Sequence, residues 1–409
     1  MSPLGGSRGG HRALLVGLSL YAVMTAWLLR LPCRVPGWGA AESLPALCAS
    51  EIAAGEASGA GGFFTGGPAG DQPALVGMIT TVVGWFAAHL SALFGTDVDR
   101  GVFADLSVLL LALVWIGTVA AVSALSGRRG ADAFVLALAP VAVLVGFGTW
   151  DLWAVLLMML ALLFHVRGSP VPAGILLGLA ASVALFPLVV LLAVLLLAVR
   201  YRQFRDFAVV LAGTLLTWAL VNGPFLLSAP DRWVRQLRLP WDGPVEGSSS
   251  WGVWARVEQA RTGADPAGAG QWVLLALVLG LVAVLVLTLL TRQEPSVVQI
   301  AFLLLAVLVL SGPAYSLVHV LWLAPLVVLS RRNWLEFAAW QLVEVLWWTT
   351  LVLPEPTWPV LPGLGLIGWD AQDLLAAVRV LLLVLLVVAV AVDVLRGGQA
   401  RRIGLSEAG

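Results

Sequence analysis

Lysine is absent from this 409-residue chain, whose 23 basic residues are all arginine. There is therefore no lysine to form a Schiff base and no ammonium of the kind that grips a nucleotide phosphate. Charge of any sign is scarce, at 11% of residues, and the 23 acids balance the arginines to a formal net charge of zero. Such a balance leaves no electrostatic footprint for nucleic acid. Only two cysteines are present, Cys33 and Cys48, and no histidine stands near them, which argues against a metal site there.

Apolar sequence fills the chain instead. Hydrophobic residues make up 60% of it, in repeated runs long enough to cross roughly 30 Å of hydrocarbon. The expected fold is all-α: one multispanning membrane domain over 1–409. Ala13 to Leu29 is followed by Arg30 and Pro32 rather than a small-x-small cleavage site, so this run is expected to remain as the first membrane helix.

Arginine placement orients the spans. Candidate crossings at 13–29, 107–125, 134–149, 152–166, 171–186, 187–199, 207–227, 272–291, 296–311, 319–330, 334–353 and 372–395 put the short arginine clusters on one side, from Arg8/Arg12 and Arg128/Arg129 to Arg331/Arg332 and Arg401/Arg402. By the positive-inside rule that side, with both termini, is cytoplasmic and the protein is a multi-pass component of the cell membrane. This map of about twelve crossings requires that the apolar run 74–94 does not cross; it is expected to be a juxtamembrane helix on the outer face, within an outer loop spanning 31–106. A second outer loop covers 228–271. Several spans are short, which predicts tilted or broken helices.

Chemistry is expected in the first outer loop, whose segment 31–73 carries Glu42, Glu51, Glu56 and Asp71 and both cysteines. A disulfide between Cys33 and Cys48 would close a loop of about 15 residues and stabilise it by about 3 kcal/mol; two buried thiols are the alternative. Glu51 follows Cys48 by three residues, so the bridge would fix it. Asp71 stands just before Pro73, near a helix N-terminus that favours its charge. Trp150-Asp151 marks an outward turn, with the indole in the interfacial belt. For each acid the plain reading is a solvated loop residue or a helix cap. Within DRWVRQLRL, Arg232, Arg235 and Arg238 recur every three residues, as on an interfacial amphipathic helix, and suit either lipid head groups or a phosphate. His319 stands at the mouth of a span. Two charges fall inside the apolar runs, Glu344 and Arg379, at depths differing by about 3 Å at 1.5 Å per residue, which predicts a buried ion pair between neighbouring helices.

The ordered series CASEI (48–52), DQPALVG (71–77), TWDLWAV (149–155), LGLAASVALFP (177–187), EGSSSW (246–251), YSLVHVLWL (315–323) and WQLVEVLWW (340–348) resembles glycosyltransferase family 87, a branch of the GT-C superfamily of multispanning transferases. The resemblance runs from about residue 31 to 350 and implies transfer of a hexose, typically mannose, from a polyprenyl-phosphate carrier to an envelope glycan or glycolipid, among membrane lipids. It places the general base on Glu51, where the family usually has aspartate. Asp71 stands in for the glutamate of the family's E-Y-P, and Trp150-Asp151 matches directly. Two positions depart from the pattern: Ala184 replaces a lysine suited to the lipid phosphate, and Val318 replaces a glutamine.

The reading assigns Glu51, Asp71 and Asp151 to catalysis, with Trp150, Arg232, Arg235, Arg238 and His319 to substrate binding. No metal ligand is assigned, and a divalent cation is compatible without being demanded. A non-catalytic lipid-binding or assembly subunit of the same fold is the alternative, ahead of a secondary transporter, against which the absence of a duplicated half counts.

Overall fold

A computed structural model describes residues 8–33, 52, 72–94, 99–127, 131–231, 233–234, 245–263, 269–331, 333–353 and 371–397. Among the described residues every regular element is helical. Six helices among the described residues, over 9–30, 74–93, 101–126, 204–228, 272–290 and 371–396, are long and apolar enough to cross a bilayer, and six shorter apolar helices accompany them there. The protein is an all-α polytopic membrane protein. Its chain divides into two compact units, unit 1 comprising residues 1–188 and 208–236 and unit 2 comprising 189–207 and 237–409.

Unit 1 opens with α1 (Arg8–Arg30), closed by a 3-10 turn over Leu31–Cys33, and continues with α2 (Ala74–Phe94) and α3 (Asp99–Ser126). The run 134–149, read from sequence as one crossing, is broken. It forms α4 (Ala131–Ala137), α5 (Pro140–Leu144) and a 3-10 turn over Gly146–Gly148. Pro140 has no N–H to continue the first piece, and glycines at 146 and 148 favour leaving the helix after the second. The break uncouples the carbonyl of Leu144, and Arg30 at the end of α1 donates its guanidinium to it at 2.7 Å.

Beyond the break, α6 (Asp151–Val166) and α7 (Pro170–Ala181) form an antiparallel hairpin turned at Gly168, whose φ of 73° suits glycine. The run 171–186 was also expected to be continuous, yet α7 stops at Ala181. Pro187 disfavours helical backbone at Phe186, and residues 182–187 form turns instead. α8 (Leu188–Tyr201) follows, then α9 (Phe204–Ser228). From Ala208 onward α9 runs parallel to α7 at very close range: a Cβ on Gly174 would stand 2.5 Å from the Val210 carbonyl oxygen, and one on Gly178 would stand 2.6 Å from that of Thr214. Gly174, Gly178 and Ser182 thus make a small-residue stripe against which α9 lies, and the Thr214 hydroxyl reaches the Gly174 carbonyl at 3.2 Å.

The ends of α2 are tied in an informative way. The N–H of Leu75 donates to the Ser182 carbonyl at 3.1 Å, where α7 ends and, across the hairpin, α6 begins. At its other end α2 leads within four residues into α3, whose Asp105 accepts from Trp27, three residues before Arg30, at 3.4 Å. Arg30 in turn meets Leu144 beside the start of α6. The start of α2 is thus held against the end of α7 within unit 1.

Unit 2 contains α10 (Ser250–Thr262), α11 (Ala269–Leu290), α12 (Val297–Ser311), α13 (Leu317–Ser330), α14 (Trp334–Val352) and α15 (Ala371–Arg396), together with most of α8. Arg200 at the end of α8 donates to the carbonyls of Thr288, Thr291 (2.8 Å) and Gln293 (2.7 Å), closing the end of α11. Between α13 and α14, Arg331 is bound by Glu336 (2.7 Å) and Asp393 (2.7 Å), and those bonds push its pKa above the ordinary guanidinium value. At the other end of unit 2, Arg256 of α10 pairs with Asp373 of α15 at 2.8 Å.

Candidate active site

Three of the motif segments reach one end of unit 1. α6 begins at Asp151, whose backbone N–H donates to the Thr149 hydroxyl at 3.3 Å, and its carboxylate stands in the first turn where the helix dipole favours it. Trp150 is buried, 2% exposed. The turn after α7 carries Ser182 to Pro187, so Ala184, where a phosphate-binding lysine was sought, sits in non-helical backbone. At the start of α2, Gln72 accepts from the Thr80 hydroxyl at 3.1 Å.

Ser182 is the node that joins these pieces. Its carbonyl receives Leu75, and its hydroxyl receives Nδ2 of Asn222 at 3.0 Å while donating to the Gly178 carbonyl at 2.8 Å. Oδ1 of Asn222 then accepts from the indole of Trp233 at 3.2 Å. Trp233 lies in the DRWVRQLRL segment. The sequence reading passed over Ser182 and Asn222. A lone asparagine in the apolar run 207–227 was the available signal, because an uncharged amide in hydrocarbon needs partners as a charge does.

Unit 2 gathers a second group at one of its own ends. His319 is in the first turn of α13, where its Nδ1 accepts from the Ser316 backbone N–H at 3.0 Å and lies 2.9 Å from the Ser316 hydroxyl. Because Nδ1 is accepting, the neutral ring carries its proton on Nε2, and the turn fixes that N–H as a donor. The ring packs edge-on against Trp322 at 4.5 Å.

Beneath this turn the expected ion pair is present. Nε of Arg379 donates to Oε2 of Glu344 at 2.7 Å with both side chains buried, and Oε1 of Glu344 accepts from the Tyr315 hydroxyl at 2.9 Å. That hydroxyl also accepts from the indole of Trp340 at 3.1 Å. The two terminal nitrogens of Arg379 make no hydrogen bond among the described residues; the guanidinium carbon lies 3.7 Å from the ring centre of Trp347 and 4.3 Å from that of Tyr315. A cation held between two aromatic faces is partly compensated for its lost hydration. Tyr315 immediately precedes Ser316, so the pair anchors the turn that presents His319.

Glu51, Asp71, Arg232, Arg235, Arg238 and Cys48 lie outside the described residues. Cys33 is disulfide-bonded. No group of three or more histidines, cysteines or acids stands together as a metal site among the described residues.

The profile of glycosyltransferase family 87 matches residues 80–313, more than half of the chain. This protein belongs to that family. Membership makes it a membrane glycosyltransferase, acting between a sugar donor and a glycan acceptor. No curated protein and no solved structure matches the chain. The matched region contains Trp150-Asp151, the 182–187 turn and the EGSSSW segment, so three of the motifs that carried the resemblance fall inside it.

Proposed function

We propose that this family 87 protein transfers a hexose, mannose first among candidates, from a polyprenyl-phosphate carrier to an envelope glycan or glycolipid at the outer face of the cell membrane. The observation that carries the reading is the convergence at one end of unit 1 of the Trp150-Asp151 turn, the interrupted helix at Ser182 and the start of α2, just beyond Asp71. A transferase using a lipid carrier needs acids beside non-helical backbone at the membrane surface, where a sugar phosphate can enter.

Glu51 is the general base in this scheme. It takes the proton from the acceptor hydroxyl as that oxygen attacks the anomeric carbon; the carbon–oxygen bond to the phosphate breaks, and the phosphate departs with the electron pair. A single displacement inverts the configuration at that carbon. Asp71 and Asp151 position donor and acceptor. The negative charge gathering on the leaving phosphate is met by the guanidinium of Arg232, Arg235 or Arg238, which supplies what Ala184 cannot. α2 lies along the outer face in this arrangement. No step requires a metal ion, though a divalent cation is compatible with the acids.

The test is transfer of radiolabelled mannose from polyprenyl-phosphate mannose to envelope lipid in membranes containing the wild type or Glu51→Gln. Loss of about two to four orders of magnitude with Glu51→Gln, at unchanged protein level, is expected of a missing general base. A non-catalytic role is the second reading, favoured by Ala184 and Val318. Wild-type membranes that fail to transfer from a donor shown competent with another transferase would turn the assignment to it.

A further inference from the structure

Glu246 has no part in the scheme above, yet its surroundings are unusually well built. Its backbone N–H donates to the Pro313 carbonyl at 2.9 Å, fastening it to the loop after α12. Its own carbonyl accepts from both the N–H (3.0 Å) and the hydroxyl (2.7 Å) of Ser249. The first turn of α10 closes over this loop so tightly that a Cβ on Gly252 would fall 2.2 Å from the Glu246 carbonyl oxygen and 2.6 Å from the Gly247 Cα. Only glycine at 252 allows the loop to lie there. Trp251 adds a further fastening through its indole, which donates to the Ser311 carbonyl at 2.9 Å.

Against this fixed backbone the carboxylate is free to work. Glu246 is exposed, and among the described residues it has no cationic partner. The buried Ser248 donates its hydroxyl to Oε2 at 3.2 Å, which steadies the group and leaves Oε1 open. Capping α10 is not its task, because Ser249 already does so by accepting the Gly252 N–H at 3.0 Å.

Position supplies the ligand class. Pro313 precedes Ser316 by three residues, so the segment to which Glu246 is fastened stands no more than about 11 Å along the chain from the turn that presents His319. A sugar phosphate joins two chemistries: an anion that needs donors, and a ring of hydroxyls that needs acceptors. In unit 2 the fixed donor is Nε2–H of His319, and Glu246 is an exposed acceptor with no competing cation.

We propose that Glu246 binds the hexose of the donor, its carboxylate accepting hydrogen bonds from neighbouring ring hydroxyls and Ser248 holding it in that orientation. This rests on the transferase reading. Glu246 is a binding group here and takes no proton. A site constructed to receive hydroxyl hydrogens discriminates strongly in favour of a ligand that has them.

Binding separates the two claims. The full-length protein in detergent is titrated with a short polyprenyl-phosphate mannose and with the same polyprenyl phosphate lacking the sugar, using wild type, Glu246→Gln and Ser248→Ala. Glu246→Gln keeps the shape and the backbone fastenings, so it is expected to weaken the sugar-bearing lipid about tenfold to a hundredfold and to leave the bare lipid phosphate unchanged. Ser248→Ala is expected to weaken the sugar-bearing lipid less, in the same direction. Equal loss of both lipids, or no loss of either, overturns the role of Glu246 while leaving the donor class intact. Failure of the wild type to bind either lipid removes the donor class itself, and this proposal with it.

Discussion

Arg379 and Glu344 are the residues whose pairing should be most costly to disturb singly. Both are buried, and removing one leaves the other as an uncompensated charge in a medium that cannot solvate it. Arg379→Met should therefore destabilise the protein by about 3–5 kcal/mol, whereas the double variant Arg379→Met/Glu344→Leu should regain most of the loss. Denaturant unfolding of the purified protein in mixed micelles measures both; strictly additive losses would show that the two side chains are not energetically coupled. The pair was legible in the sequence because a charge inside an apolar run attracts notice wherever it falls, and helical rise then sets its depth. Arg30 was not legible in the same way. Its partner is the Leu144 carbonyl, a backbone atom freed only because the helix breaks at Gly146, and nothing in the side-chain pattern marks such an acceptor.

Among the elements, α7 and α9 depend on glycine at the positions where they touch. Gly178→Val would push side-chain carbons against the Thr214 carbonyl and the Thr217 side chain, both already within 2.7 Å of a single added Cβ. The helices must separate, and the loss is expected at about 1–3 kcal/mol or more, read as a lower unfolding midpoint. Gly17 in α1 is the matched contrast: a Cβ there meets nothing within 4 Å, so Gly17→Ala should be neutral or stabilise by about 0.5–1 kcal/mol. The helical class and most span positions were evident from apolar run length. Their interruptions were harder to see, since a continuous greasy run such as 134–149 or 171–186 carries no periodicity that distinguishes one long helix from two short ones. Pro140 and Pro187 were the local signals, and in membrane helices proline alone does not decide between a kink and a stop.

At the scale of the molecule, the chain must commit α2 to one side of the membrane. Its 21 residues are long and apolar enough to cross, whereas the arginine distribution expects them to stay on the outer face. On the outer-face reading, cysteines introduced at Gln72 and at Gly101 react with an impermeant maleimide from the same side of sealed vesicles, under non-reducing conditions that preserve the Cys33 bridge. Reaction from opposite sides would make α2 a crossing and invert every later segment. Hydropathy by itself does not decide this point, because α2 passes the same length and apolarity test as the crossing helices.

The tie between Leu75 and Ser182 also fixes an order of events during synthesis. α2 leaves the ribosome well before α7 exists, so the carbonyl on which it docks has not yet been made when it meets the bilayer. Until then, α2 is a greasy helix without its acceptor, free to enter the membrane as an ordinary span. The contact between α2 and α7 is therefore finished out of chain order, only after the hairpin of α6 and α7 has been made.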